Sequence, residues 1–239
     1  MINFAQYQAI SFDCYGTLID WEAGMLTWLR RWIDDRDLTV APDAVLACFA
    51  RREREVQAET PAMRYPDVLA EVLRRASREL GISVSTEDAR AFGASVGDWP
   101  AFQDSTSALR QLRERFKLVI LSNVDRASFA RSNERLAVKF DAVITAEDVG
   151  SYKPDPRNFD TLLATLDGMG IPKHRLLHVG ESLFHDVAPA NRDGIDCVWI
   201  DRAAGREGVR ASGTAVTSAV PLATYPSMAA FAKAALNGA

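Results

Sequence analysis

Near the start of the chain a short apolar run, Ala9-Ile10-Ser11-Phe12, leads into Asp13, and Tyr15, Gly16 and Thr17 follow at once. An acid at the end of a buried strand stands where open α/β sheets collect their chemistry, outside the carboxyl ends of the strands. Gly16 allows the backbone to turn sharply there. Thr17 offers a hydroxyl, and Asp20 can brace the loop. A carboxylate held in this way can act as a nucleophile, forming an ester that water then hydrolyses. The other use of Asp13 would be to cap the helix that follows.

Further polar groups recur where later apolar runs stop. Ser122 and Asn123 follow the run 116–121, Lys153 lies in the segment after 140–145, and Glu181 and Asp186 follow 176–180. A lysine beside Asp13 would keep it ionised, attract an anionic substrate and stabilise charge as a covalent intermediate forms and breaks. Its alternative is a surface pair with Asp155. Ser122 can cap a helix starting near Asp125, whose N-terminus can also face an anion. Glu181 and Asp186 have two readings. They would hold a divalent cation together with Asp13, as hard oxygen ligands do, or Asp186 would activate water against an ester. His178 sits inside an apolar strand and reads as a core histidine; His185, next to Asp186, is placed to reach the cleft. His174, His178 and His185 do not form a metal-binding set, and no glycine-rich nucleotide cradle is present.

These residues need a scaffold, and the hydrophobic pattern supplies one. Strands are expected at 9–12, 116–121, 140–145, 176–180 and 195–200, alternating with helices at 105–115, 125–135 and one carrying Phe159, Leu162, Leu163 and Leu166. Such alternation specifies a parallel sheet with helices on both faces, a Rossmann-like three-layer α/β core. Residues 147–156 read as loop and 201–220 as mostly loop, with a short strand at 215–220 and a closing helix at 228–236. Between the first two strands the pattern is helical only: 24–36, 42–59, 66–80 and 85–96 carry apolar residues at three-to-four spacing. Trp28 and Trp32 read as core anchors, and the run from Arg51 to Glu55 as a solvated, ion-paired face. A helical segment inserted just after the first strand reads as a cap over the active edge. The expected division is a core of residues 1–20 and 99–239 and a cap of residues 21–98.

With 239 residues, 48% hydrophobic and 25% charged, the chain can bury a full core. A net charge of -4 argues against nucleic acid as a partner. The absence of a long apolar run argues against a membrane one. Three cysteines without paired spacing suit a reduced, cytoplasmic setting.

The stretch Phe12-Asp13-x-Tyr15-Gly16-Thr17-Leu18, with Ser122-Asn123, Lys153-Pro154-Asp155-Pro156 and Gly180-Glu181-Ser182-x-x-x-Asp186 in that order, resembles the haloacid dehalogenase-like hydrolases. Within that superfamily it is most similar to the L-2-haloacid dehalogenases, as is Trp99-Pro100-Ala101-Phe102 at the return from cap to core. The phosphatases of the superfamily carry a second Asp two residues after the nucleophile, to protonate the leaving alcohol. Here that position is Tyr15, as in the dehalogenases, whose halide needs no proton. The resemblance implies a two-step hydrolysis of a short (S)-2-haloacid to a 2-hydroxyacid. Asp13 would be the nucleophile, Thr17, Ser122, Asn123 and Lys153 would position and balance the carboxylates, and Asp186 would serve the water step. It implies no cofactor, a small anionic substrate and a homodimer.

Three features depart from the dehalogenase pattern. Phe159 stands where a tyrosine is usual. Glu181 and Leu183 stand where the fourth motif has Ser and Asn, closer to the metal-binding form of the phosphatases. The substrate-binding arginine of the cap is expected at Arg51 or Arg54, with Arg52 in the same helix. Tyr15, Phe159 and Glu181 are expected beside the substrate. The alternatives are a Mg²⁺-dependent phosphatase or other hydrolase of this fold, with Asp13, Tyr15 and Asp186 as metal ligands, and a non-catalytic binding protein.

Overall fold

The computed structural model describes residues 2–204 and 219–237. β1 (Ala9–Phe12) is buried at every position, as a strand covered on both faces must be. It lies in the middle of a sheet of order β3-β2-β1-β4-β5-β6, in which every pairing is parallel. The others are β2 (Lys117–Ser122), β3 (Ala142–Thr145), β4 (Leu176–Gly180), β5 (Asp196–Ile200) and β6 (Ala223–Tyr225). The chain steps outward from β1 to β3, then returns to β1 and steps the other way. That reversal between β1 and β4 is the topological switch point, where such sheets open a crevice.

Alternation along the strands divides the core into two layers. Ile10, Phe12, Leu118 and Ile120 pack on one side with Phe231 of the closing helix. Ala9, Val119, Leu121 and Ile144 pack on the other with Phe159, Leu162 and Val187. The register sets Phe12 opposite both Ile120 and Val179, so the residues just beyond β1, β2 and β4 leave the sheet at one level.

The connection from β1 to β2 opens with four helices, α1 (Trp21–Asp35), α2 (Pro42–Glu59), α3 (Tyr65–Glu79) and α4 (Thr86–Ala94), closed by a 3-10 turn at Ser95–Asp98. Asp20, not Asp13, caps α1, its Oδ1 accepting from the Ala23 N–H at 3.1 Å. Val68, Leu69, Val72, Leu73 and Ala76 form the apolar stripe of α3, buried with Phe49, Val56 and Phe92. α3 and α4 approach so closely that a Cβ at Gly93 would lie 2.1 Å from the Pro66 carbonyl oxygen. Trp32 is buried and stacks on the half-buried Trp28. The strands entering and leaving this helical insertion lie side by side. Asp20 N–H donates to Pro100 O at 2.8 Å and Phe102 N–H to Leu18 O at 3.0 Å.

The rest of the chain supplies α5 (Ser105–Arg113), α6 (Arg126–Leu136), α7 (Ala146–Val149), α8 (Pro156–Gly168), α9 (Ala188–Arg192) and α10 (Met228–Asn237). Part of the expected 147–156 loop is the single turn of α7, because Thr145 and Asp148 cap each other reciprocally. The strand expected at 215–220 falls mostly outside the described residues, and the sixth strand lies at Ala223–Tyr225, paired with β5. Among the described residues no helix is long and apolar enough to cross a membrane.

Candidate active site

Asp13 leaves β1 with its N–H donating to Val179 O of β4 at 3.0 Å, which continues the ladder one residue past the strand. Gly16 has φ +98°, a conformation that side chains with a Cβ rarely adopt, and the turn it makes brings Thr17 back onto Asp13. The Thr17 hydroxyl donates to Asp13 Oδ2 at 2.8 Å and accepts from the Glu181 N–H at 2.9 Å. Thr17 is fully buried and positions the aspartate without lining the cavity. The same turn is braced from outside the motif by Arg202, whose guanidinium donates to the Thr17 carbonyl at 2.7 Å and to Asp104 at 2.8 Å.

Lys153 crosses the end of the sheet to meet Asp13. Its ammonium donates to Asp13 Oδ1 at 3.0 Å, Asp186 Oδ1 at 2.6 Å and the Leu121 carbonyl at 2.9 Å. It is 1% exposed. Asn123 holds the loop in place: its Oδ1 accepts from the Lys153 N–H at 2.6 Å and its Nδ2 donates to the Lys153 carbonyl at 3.1 Å. The surface pair between Lys153 and Asp155 does not form; Asp155 caps α8 and binds Arg157.

Asp186 is fully buried at the end of a π-helical turn, Leu183–Val187, and its Oδ2 accepts from the Ser182 N–H at 3.2 Å. A Cβ at Gly180 would lie 2.5 Å from the Asp186 carboxyl, so the glycine is what admits it. His178 Nε2 lies 3.3 Å from Asp186 Oδ1 and Nδ1 lies 2.8 Å from Ser11 Oγ. With Nε2–H donating to Asp186, Nδ1 is left to meet the Ser11 hydroxyl.

Two carboxylates thus share one ammonium in a water-poor site. Burial and the charge of Asp186 push Asp13 above the usual carboxylate range, against Lys153 and Thr17. Burial opposes the charge of Asp186 too, but Lys153 and His178 outweigh it and hold that carboxyl low. The same two carboxylates raise Lys153 despite its burial. His185 is pushed down to about 4 by burial and stays neutral near pH 7.

A cavity of about 80 Å³ opens onto this cluster. From the sheet it is lined by Asp13, Tyr15, Ser122, Asn123, Lys153 and Asp186, with Glu181 and His185 at its side. Ser122 Oγ is buried without a hydrogen-bond partner, since Asp125 and not Ser122 caps α6. The Tyr15 hydroxyl turns away to Ser132 of α6 at 2.8 Å, leaving its ring at the cavity wall. From the insertion come Trp21, Phe49, Ala50 and Tyr65, an apolar and aromatic wall, together with Glu53, Arg54 and Gln57.

Two expected substrate contacts lie elsewhere. Arg51 is on the outer face of α2, paired with Glu79 at 2.8 Å, and Arg52 joins it there. Residues 49, 50, 53, 54 and 57 share the inner face by helical spacing, so Arg54 lines the cavity and Arg51 does not. The run 51–55 is therefore only half a solvated face. Phe159 is fully buried in the second core layer, edge-on to His178 at 5.2 Å, and reaches the chemistry only through that histidine.

Toward a divalent cation the described residues offer Asp13 and Asp186, both already bonded to Lys153. Among the described residues no group of three or more His, Cys, Asp or Glu side chains could hold a metal ion. The Tyr15 hydroxyl points to Ser132, and the Lys153 ammonium already bridges Asp13 and Asp186.

The sequence model of the haloacid dehalogenase-like hydrolases matches residues 7–192. The chain belongs to this family. Among curated proteins, this family member is 26% identical over 209 residues to an (S)-2-haloacid dehalogenase of Pseudomonas putida, spanning 83% of this chain and 86% of that one. It is 30% identical over 148 residues to a phosphoserine phosphatase of Thermus thermophilus, spanning 59% of this chain and 57% of the other. Its fold matches that of the L-2-haloacid dehalogenase of Xanthobacter autotrophicus with a TM-score of 0.80, at 17% identity over 98% of this chain and all of that one. That dehalogenase has also been solved with chloropropionic acid covalently bound.

Three contributors to the site were not legible beforehand. Ser11 and Arg202 carried no motif. Glu53 was masked by its charged neighbours, although its four-residue spacing from Phe49 and Gln57 was a usable signal.

Proposed function

We propose that this hydrolase is an (S)-2-haloacid dehalogenase acting on short 2-haloalkanoic acids, without a metal. The observation that carries the reading is the Lys153 ammonium bonded at once to Asp13 and Asp186, beside a Tyr15 whose hydroxyl faces away from the cavity. A fixed cation keeps a carboxylate ionised for attack. With Tyr15 where a leaving-group acid would stand, displacement of a group that leaves as a stable anion is the chemistry favoured.

In this reading an Asp13 oxygen attacks C2, the C–halogen bond breaks with its electron pair on the halide, and an ester links C2 to Asp13. Water then adds to the ester carbonyl carbon, with Asp186 taking its proton. The 2-hydroxyacid leaves with the former Asp13 oxygen, and Asp13 regains one from water. Ser122 and Asn123 offer hydrogen bonds to the substrate carboxylate, and Arg54 offers charge from above. Trp21, Phe49 and Ala50 receive the alkyl group and halide. The small cavity supports a substrate of few heavy atoms. Residues 21–98 act as the cap, since helices α1 to α3 supply the outer wall. A cytoplasmic setting is supported by Cys14, Cys48 and Cys197, all free thiols.

A phosphatase reading is favoured by one observation, the 30% identity to a phosphoserine phosphatase. The deciding experiment incubates the protein with 2-chloropropanoate and with a panel of small phosphomonoesters, after chelation and again with added Mg²⁺. Chloride release that survives chelation is expected. Phosphate release that depends on Mg²⁺, with no chloride release, would refute the dehalogenase.

A further inference from the structure

Glu53 is the one carboxylate that the helical insertion contributes to the cavity, and it faces the Asp13–Lys153–Asp186 cluster across a small space. Its Oε1 accepts from the Tyr65 hydroxyl at 2.7 Å and from Gln57 Nε2 at 3.4 Å. Among the described residues its Oε2 has no hydrogen-bond partner, and no cation lies within ion-pair distance. The groups that face it are Arg54 on its own helix, Tyr65 on α3 with Tyr152 behind that ring, and the cluster across the cavity. Among the described residues Glu181 and His185 also line the cavity. Asp13 and Asp186 already exceed Lys153 by one negative charge. An anionic substrate entering beside an ionised Glu53 would meet repulsion from both sides.

We propose that Glu53 is a specificity-determining residue whose protonated carboxyl donates a hydrogen bond to the carboxylate of the short acid, so that anion binding carries one proton into the site. The proposal rests on the dehalogenase reading and adds to it a residue from the cap. In the protonated state Oε1 still accepts from Tyr65 and Oε2–H points to the ligand. Burial supports this by pushing Glu53 up to about 7, against the pull of Tyr65 and Arg54. A small change in its surroundings therefore decides its charge at physiological pH, and an arriving anion favours the proton further.

The test measures propanoate binding by calorimetry from pH 6.5 to 8.5, in buffers of different ionisation heat, with KM for 2-chloropropanoate alongside. Affinity is expected to weaken about tenfold or more over this range, with uptake of about one proton at the alkaline end. Glu53→Gln keeps the shape and a donor; its affinity should be flat with pH and its binding free of proton uptake. Tyr65→Phe removes the hydrogen bond that favours the ionised form, so the weakening should move to higher pH. The inference is overturned if Glu53→Gln keeps the wild-type pH dependence, or if the wild type shows none. Failure of propanoate to bind at any pH, with turnover of phosphomonoesters instead, overturns the dehalogenase reading and this inference together.

Discussion

Replacing Lys153 by methionine keeps the length of the side chain and deletes its ammonium, leaving the fully buried Asp186 and the 7% exposed Asp13 facing each other without a cation. The ammonium makes two charged hydrogen bonds and one to a backbone carbonyl. At about 1.5–3 kcal/mol for each charged bond and about 1 for the other, the gross loss is about 4–7 kcal/mol. Relief of the ammonium's own desolvation reduces it, and removal of one partner from a buried ion pair nets about 3–5 kcal/mol. The orphaned carboxylates recover part of that by holding a proton. In the variant the folded state then binds one more proton than the wild type, so its stability deficit grows as pH rises. The growth is about 1.4 kcal/mol per unit while the pH lies below the raised pKa, or up to about 2.7 kcal/mol between pH 5.5 and 7.5. Asp186 in the wild type adds no slope there, because its depressed pKa keeps it ionised down to below the ordinary carboxylate range. Asp13, raised by burial and by Asp186, also loses the lowering that Lys153 provides, so the added proton is shared between the two carboxylates. Urea unfolding of both proteins at pH 5.5, 6.5 and 7.5 measures the effect. A deficit under about 1 kcal/mol at pH 7.5, or one of the same size at every pH, would refute the reasoning that Lys153 is the cation that keeps these two carboxylates charged.

Asp13→Asn should lower turnover by about 10³-fold or more while leaving stability in urea equal to or above the wild type, since it relieves a surplus carboxylate; near-normal turnover would remove the nucleophile. His178→Leu strips a hydrogen bond from Asp186 and orphans the Ser11 hydroxyl. It should cost about 1–3 kcal/mol in urea unfolding and move the acid edge of the pH–rate profile upward, because that hydrogen bond holds Asp186 low; an unchanged edge would leave His178 as packing alone. Gly180→Ala forces a Cβ against the Asp186 carboxyl and should cost about 1–3 kcal/mol along with turnover, whereas a variant of wild-type activity would mean that Asp186 can shift freely. Arg54→Met should raise KM for 2-chloropropanoate about tenfold with little change in stability, and Arg51→Met, on the outer face, should leave KM unchanged; equal effects would contradict the assignment of the two faces of α2.

What the linear chain determines here is what depends on neighbours in sequence. Apolar runs of four to six residues alternating with helical spacing specify a parallel α/β sheet, because helices on both faces bury strands that are apolar on both sides. Polar groups at the ends of those runs must then gather at one edge, and Asp13, Ser122, Asn123, Lys153 and Asp186 do so. The tertiary structure alone decides how each side chain is turned. Three residues along a helix amount to a net rotation of only about 60°, and that is enough to put Arg51 on solvent while Arg54, at the edge of the inner face, lines the cavity. The same holds for Phe159, which the sheet's second layer claims, and for Glu53, exposed by its charged neighbours and half-buried by its phase. The tie of His178 to Asp186 belongs to this class as well, because it spans a bend whose geometry Gly180 and a π-helical turn set. Those orientations follow from how α2 and the strand ends pack on distant parts of the chain, which no local pattern encodes.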